Sequence, residues 1–194
     1  MKSKRLALVL AGLCSVALAA GNGCSKKSES STSTGTTTPS NLSQSNIDDA
    51  TANNIINAVI DIYNQNVAGR SQGAYNGVTV TCPNGGTALI SGIATKDNSS
   101  QLTTTDLSYT MTACKEAQTN HTLTYTGVVT QKGSFNLSTN FVSETIKASG
   151  NVTMAGTITY TGYNTATVDQ TGTFTVNRGY NVASGDILGR SFSY

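Results

Sequence analysis

The sequence predicts a mainly β, α+β domain: an antiparallel meander of about eight strands, with one N-terminal helix packed on its apolar face. Three observations carry this expectation. From Tyr75 onward, apolar residues alternate with Thr and other polar residues at period two almost to the C-terminus. A single stretch, Asn46 to Asn66, shows helical periodicity instead. Charged residues make up only 11% of the chain, against roughly 25% in average domains, and Thr, Ser, Asn and Gly supply the polarity. That composition suits an extracytoplasmic β surface.

Lys2, Lys4 and Arg5 form a positive n-region, and Leu6 to Ala20 follows without a charge, a run too short for a dependable membrane span. Residues 1–23 are therefore expected to be a signal peptide. Gly23-Cys24 resembles the lipobox of bacterial lipoproteins, although that family usually has Leu where this chain has Gly21. The resemblance implies that Cys24 is diacylated, palmitate included, and becomes the new N-terminus, with the membrane as partner through its lipid. Ser25 after the cysteine resembles the pattern sorted to the outer membrane, if the cell is Gram-negative. The alternative is cleavage after Ala17-Leu18-Ala19, which releases a secreted or periplasmic protein beginning at Ala20. Residues 24–40 read as a Ser/Thr-rich tether, and residues 41–194 as a single helix-plus-β domain.

Within that domain Thr51, Ile55, Ala58, Val59 and Ile62 recur on one helical face, widened by Ile56, Ile60 and Tyr63. Ser45 is the expected N-cap, Asp48 and Asp49 would sit in the first turn, and Gly69 would close the helix. Its polar face carries Asn and Asp rather than Lys and Arg, so packing on the sheet is expected, not membrane contact.

The strands follow in order. Val78, Val80 and Cys82 alternate up to a Pro83-Asn84-Gly85-Gly86 turn; Ala88 to Thr95 is the second strand. Leu107, Tyr109, Met111 and Ala113 define the third, and Leu123, Tyr125, Gly127 and Val129 the fourth. Phe135, Leu137 and Phe141 open a fifth, whose shift to Val142 and Ile146 predicts a bulge near Phe141. Ser149-Gly150-Asn151 is expected to turn the chain before Val152 to Tyr160. Ala166 to Val176 follows, and a last strand is drawn from Asp186 to Tyr194. One-sided apolar strands need a cover, which predicts that the sheet curls over the helix into a partial or a closed barrel.

Cys82 and Cys114 are the domain's cysteines and are expected to form a disulfide. In a strict meander their strand ends lie nearly 10 Å apart, about two strand spacings. Either both sulfurs reach from loops across the second strand, or the order is not a simple meander.

No catalytic or metal-ligating pattern and no cofactor is read from the sequence. His121, the only histidine, sits between Asn120 and Thr122 and reads as a surface turn. Glu116, Glu144, Asp169 and Asp186 read as isolated, solvated acids. Without the leader, nine basic residues face ten acidic ones, a net charge of about −1 with no basic stripe, which argues against nucleic acid. The function expected is that of a lipid-anchored, non-enzymatic cell-envelope protein with a structural or binding domain. Two rivals stand beside it: a carrier of a lipid or other apolar ligand, with Ala88, Gly92, Gly127, Gly156 and Gly172 leaving room in a curved sheet, and an outer-membrane β-barrel.

Overall fold

A computed structural model describes residues 42–68, 73–160 and 164–194. The signal peptide, the tether, Cys24 and Gly69 lie outside the described residues. Helix α1 (Gln44–Asn66) precedes ten strands: β1 (Gly73–Thr81), β2 (Thr87–Lys96), β3 (Thr103–Ala117), β4 (His121–Asn136), β5 (Phe141–Ala148), β6 (Val152–Tyr160), β7 (Asn164–Gly172), β8 (Phe174–Arg178), β9 (Ala183–Ile187) and β10 (Arg190–Ser193).

All pairings are antiparallel and belong to one sheet, in the order β1-β2-β3-β4-β5-β8-β9-β10, with β6 joined to β4 and β7. The side branch has a simple meaning. β5 pairs with one half of β4 (Val129↔Ala148) and β6 with the other (Thr126↔Thr153), so β5 and β6 run end to end in the same direction. Five steps separate Ala148 from Thr153 where three separate Thr126 from Val129, which is a two-residue bulge. Ser149-Gly150-Asn151 therefore does not reverse the chain; Ser149 N–H still donates to the Val128 carbonyl, at 2.8 Å. β7 and β8 likewise continue one another alongside it. The ten strands thus occupy the eight positions of a meander.

Other boundaries move for local reasons. β4 continues unbroken to Asn136, and the chain reverses at 137–140 rather than bulging at Phe141. The Asn136 carboxamide oxygen accepts the N–H groups of Ser138 and Thr139, and Asn140 takes a positive φ of 56°. These contacts build a turn without Gly or Pro. The last strand is two, β9 and β10, folded at Leu188 and Gly189. The helix begins two residues earlier than expected, with Ser43 rather than Ser45 as its cap: the Ser43 hydroxyl accepts from Asn46 N–H. Asp48 and Asp49 consequently fall outside the first turn.

The sheet curls around the helix. α1 packs against β3 and β4 and also against β9 and β10. In a flat sheet β3 and β10, five positions apart, would be separated by about 24 Å, twice the roughly 10–12 Å width of a helix. The helix is long enough, about 34 Å, to lie across that span, but it packs on β3, β4, β9 and β10 and far less on β5 and β8 between them, the pattern of a sheet curled around it. Gly133 shows how bending is permitted: it has φ +148°, and a methyl there would run into the carbonyl of Ser143 on β5. Gly92 and Gly156, expected to leave ligand space, are instead pressed against the Asp106 and Thr122 carbonyls. The curl stops short of closure. β1 and β10 do not pair, so the sheet is open and the closed-barrel alternative is corrected.

The concave face and the helix stripe make one core. Ile55, Val59 and Ile62 of α1 meet a floor that includes Leu107, Leu123, Met154, Ile158, Val176 and Ile187, all essentially inaccessible. Tyr63 meets Phe135 edge-on, ring centroids 5.5 Å apart. The outer face of β4 is Thr122, Thr124, Thr126 and Thr130, as the alternation predicts.

The cysteines do pair within a simple meander order. Loop 82–86 folds across the start of β2: Cys82 N–H donates to the Gly86 carbonyl, and Lys115 N–H of β3 donates to the Gly85 carbonyl. β3 contributes a bulge between Met111 and Cys114, where Ala113 has φ 48°, and this slip turns Cys114 inward in place of Ala113. The two Cα atoms come to 5.6 Å and the disulfide forms. Gly86 is required here, because a methyl on it would overlap the Ala113 backbone.

Candidate functional site

Three polar clusters lie between the helix and the concave face. The first is a chain of buried groups. The Tyr109 hydroxyl donates to the Gln131 carboxamide oxygen (2.6 Å), Gln131 Nε2 donates to Glu144 Oε1 (2.8 Å), and Arg178 donates to Glu144 Oε2 (2.7 Å). The Glu144 side chain is wholly buried and that of Arg178 is 20% exposed. Burial, with the Glu144 charge nearby, pushes the Tyr109 hydroxyl well above its usual range. Glu144 is therefore a structural acid saturated with donors, not a solvated one. A second buried acid, Asp48 of α1, is held bidentately by Arg190 of β10 at 2.9 Å through each oxygen, which clamps the helix to the last strand.

The third cluster contains His121, which is not in a turn but opens β4 and faces inward, half-buried. Asn54 of α1, wholly buried, lies 2.7 Å from His121 Nδ1, and its carboxamide oxygen accepts the Tyr125 hydroxyl at 2.7 Å. Burial lowers the His121 pKa.

Glu116 is also buried, at 1% exposure, contrary to the surface expectation. Gln118 donates to its Oε1, while Oε2 has no partner among the described residues. Burial raises its pKa, opposed by Gln118 and reinforced by Asp61. A carboxyl raised on folding contributes stability that is complete below its unfolded pKa, near 4.5, and is lost as pH rises through the folded value. Glu116→Gln is accordingly expected to remove that part of the pH dependence, so that the variant gains on the parent protein as pH rises from 4 to 7. Urea midpoints of both proteins at pH 4 and pH 7 check this.

Three accessible concavities gather at one flank, where α1, the β4–β5 and β8–β9 turns and Tyr194 meet, and a further one of about 210 Å³ lies by Tyr63, Lys96 and Phe135. Tyr194 lines the three at the flank. One, of about 820 Å³, crosses β4, β5, β8 and β9 over Glu144 and Arg178. Another, of about 340 Å³, lies between α1 and His121. The third, of about 210 Å³, runs between Ile56, Leu137, Tyr180 and Val182. Leu137, Phe141, Tyr180, Val182 and Tyr194 are all exposed apolar or aromatic side chains of this flank, and among the described residues only Leu89 and Ile93 are comparable elsewhere. Clustering of that kind marks an interaction surface more often than chance scatter does.

Of the residues singled out in the sequence, Cys82 and Cys114 are joined and structural, and Cys24 lies outside the described residues. Among the described residues no group of three or more His, Cys, Asp and Glu side chains converges. The flank around Tyr194 was missed, because its parts lie as far apart in the chain as Asn46 and Tyr194. Comparison with protein families, curated proteins and solved structures finds no match to this chain.

Proposed function

We propose that this is a lipid-anchored, non-enzymatic cell-envelope protein, tethered through Cys24, whose β domain binds a partner at the flank around Tyr194. The observation that carries the reading is where free space lies. The concavity of the sheet is filled by the protein's own helix, while the clefts and exposed apolar side chains collect outside it. A carrier of apolar ligands needs an enclosed apolar space, and these clefts are open and lined by polar and apolar groups in nearly equal measure. An outer-membrane barrel needs a closed sheet, since an unpaired edge is not tolerated in hydrocarbon, and this sheet is open. Glu144 is engaged by Gln131 and Arg178, and the hydrogen-bond partner of His121 is an amide rather than an acid, which supports a binding role over a hydrolytic one.

The test is fractionation of cells producing the full chain or its Cys24→Ser variant, with an alkynyl palmitate label. The full chain should be labelled and sediment with membranes, and the variant should be unlabelled and recovered in soluble form. An unlabelled, soluble full chain beginning at Ala20 would overturn the anchor.

A further inference from the structure

The cleft between α1 and His121 has a chemistry of its own. Asn46, Asp49 and Asn53 line it from the helix, Asn120 and His121 from the start of β4, and the Tyr194 ring closes one side. The orientation of His121 is fixed from behind. The Asn54 carboxamide oxygen takes the Tyr125 hydroxyl, so its Nδ2 faces His121 and donates to Nδ1. That leaves the imidazole proton on Nε2. Nε2 has no hydrogen-bond partner among the described residues and is not a buried orphan, so this N–H is accessible. Buried in the middle of the helix stripe, Asn54 both satisfies the buried Tyr125 hydroxyl and holds this ring.

From this arrangement we propose that the cleft binds a neutral polyhydroxylated ligand, a sugar unit. Three carboxamides, each both donor and acceptor, surround one carboxylate acceptor and one fixed imidazole donor, which matches hydroxyl groups that donate and accept at once. The Tyr194 ring, with Ala50, supplies an apolar wall for the C–H face of the ring. No Lys or Arg lines the cleft, and Asp49 would repel an anion. At about 340 Å³ the space is at the small end of ligand sites. The proposal rests on the Tyr194 flank being a recognition face and is independent of the lipid anchor.

The experiment is saturation-transfer NMR and calorimetry on the soluble Cys24→Ser protein, using glucose, galactose, N-acetylglucosamine and, as an anionic probe, glucose 6-phosphate. At least one neutral sugar should receive transfer on its ring protons. Asp49→Asn and Tyr194→Ala should each weaken that sugar at least tenfold, while Ile93→Thr on the outer face of β2 should leave it unchanged. The phosphorylated sugar should bind more weakly than glucose. No transfer to any neutral sugar, equal loss in Ile93→Thr, or tighter binding of the phosphate would overturn the proposal. Failure here beside a Cys24→Ser variant that is released from membranes would remove the sugar reading and leave the anchored protein standing.

Discussion

Arg178→Met should destabilise the domain by about 3 to 5 kcal/mol, the effect expected when one partner is removed from a buried ion pair. Arg178 bonds Glu144 at 2.7 Å, and the Glu144 side chain has no access to water. Without the guanidinium, Gln131 and the more distant Thr105 are the donors left to a buried charge. The double variant Glu144→Leu, Arg178→Met removes both charges, and it should recover most of the loss even though Gln131 Nε2 then lacks its acceptor. Urea unfolding of the two variants checks this. A single-variant loss below about 1 kcal/mol would mean that the pair behaves as an exposed one.

Reduction of the Cys82–Cys114 disulfide should lower stability by about 3 to 4 kcal/mol, the chain-entropy value for a loop of this size; the cysteines are 32 residues apart. The double variant Cys82→Ser, Cys114→Ser should lose a similar amount and become insensitive to dithiothreitol. Gly86→Ala should approach the same loss by another route, because its methyl would push loop 82–86 off β3 and part the sulfurs. An unfolding midpoint unaffected by reductant would show that the backbone bonds from Cys82 and Lys115 hold the loop without the bridge.

The fold class was legible because two periodicities survive almost unmixed. The stripe through Ile55, Val59 and Ile62 became the buried face of α1, and the Thr alternation became the outer face of the sheet. What misled was punctuation. Ser149-Gly150-Asn151 has the residues of a hairpin turn, but Gly serves a bulge equally well, and only the pairing of both flanks with β4 decides between them. Conversely, the 137–140 turn lacks Gly and Pro, its reversal being built by the side chain of Asn136, so it read as strand. Chain separation hid the polar clusters. Glu144 and Arg178 are 34 positions apart, Asp48 and Arg190 are 142 apart, and Asn54 and Tyr125 are 71 apart. Each of these acids reads locally as a solvated residue, because nothing nearby in sequence announces its partner. The β9–β10 fold then brings Tyr194 beside helix residues from the other end of the domain.

The most direct test of an open sheet filled by its own helix is native mass spectrometry of the Asn41–Tyr194 domain, produced in an oxidising compartment and purified without detergent. The expected result is a bare mass two hydrogens below that of the reduced chain. An added mass that is lost on organic extraction would contradict it, because it would place an apolar ligand where the helix is held to pack.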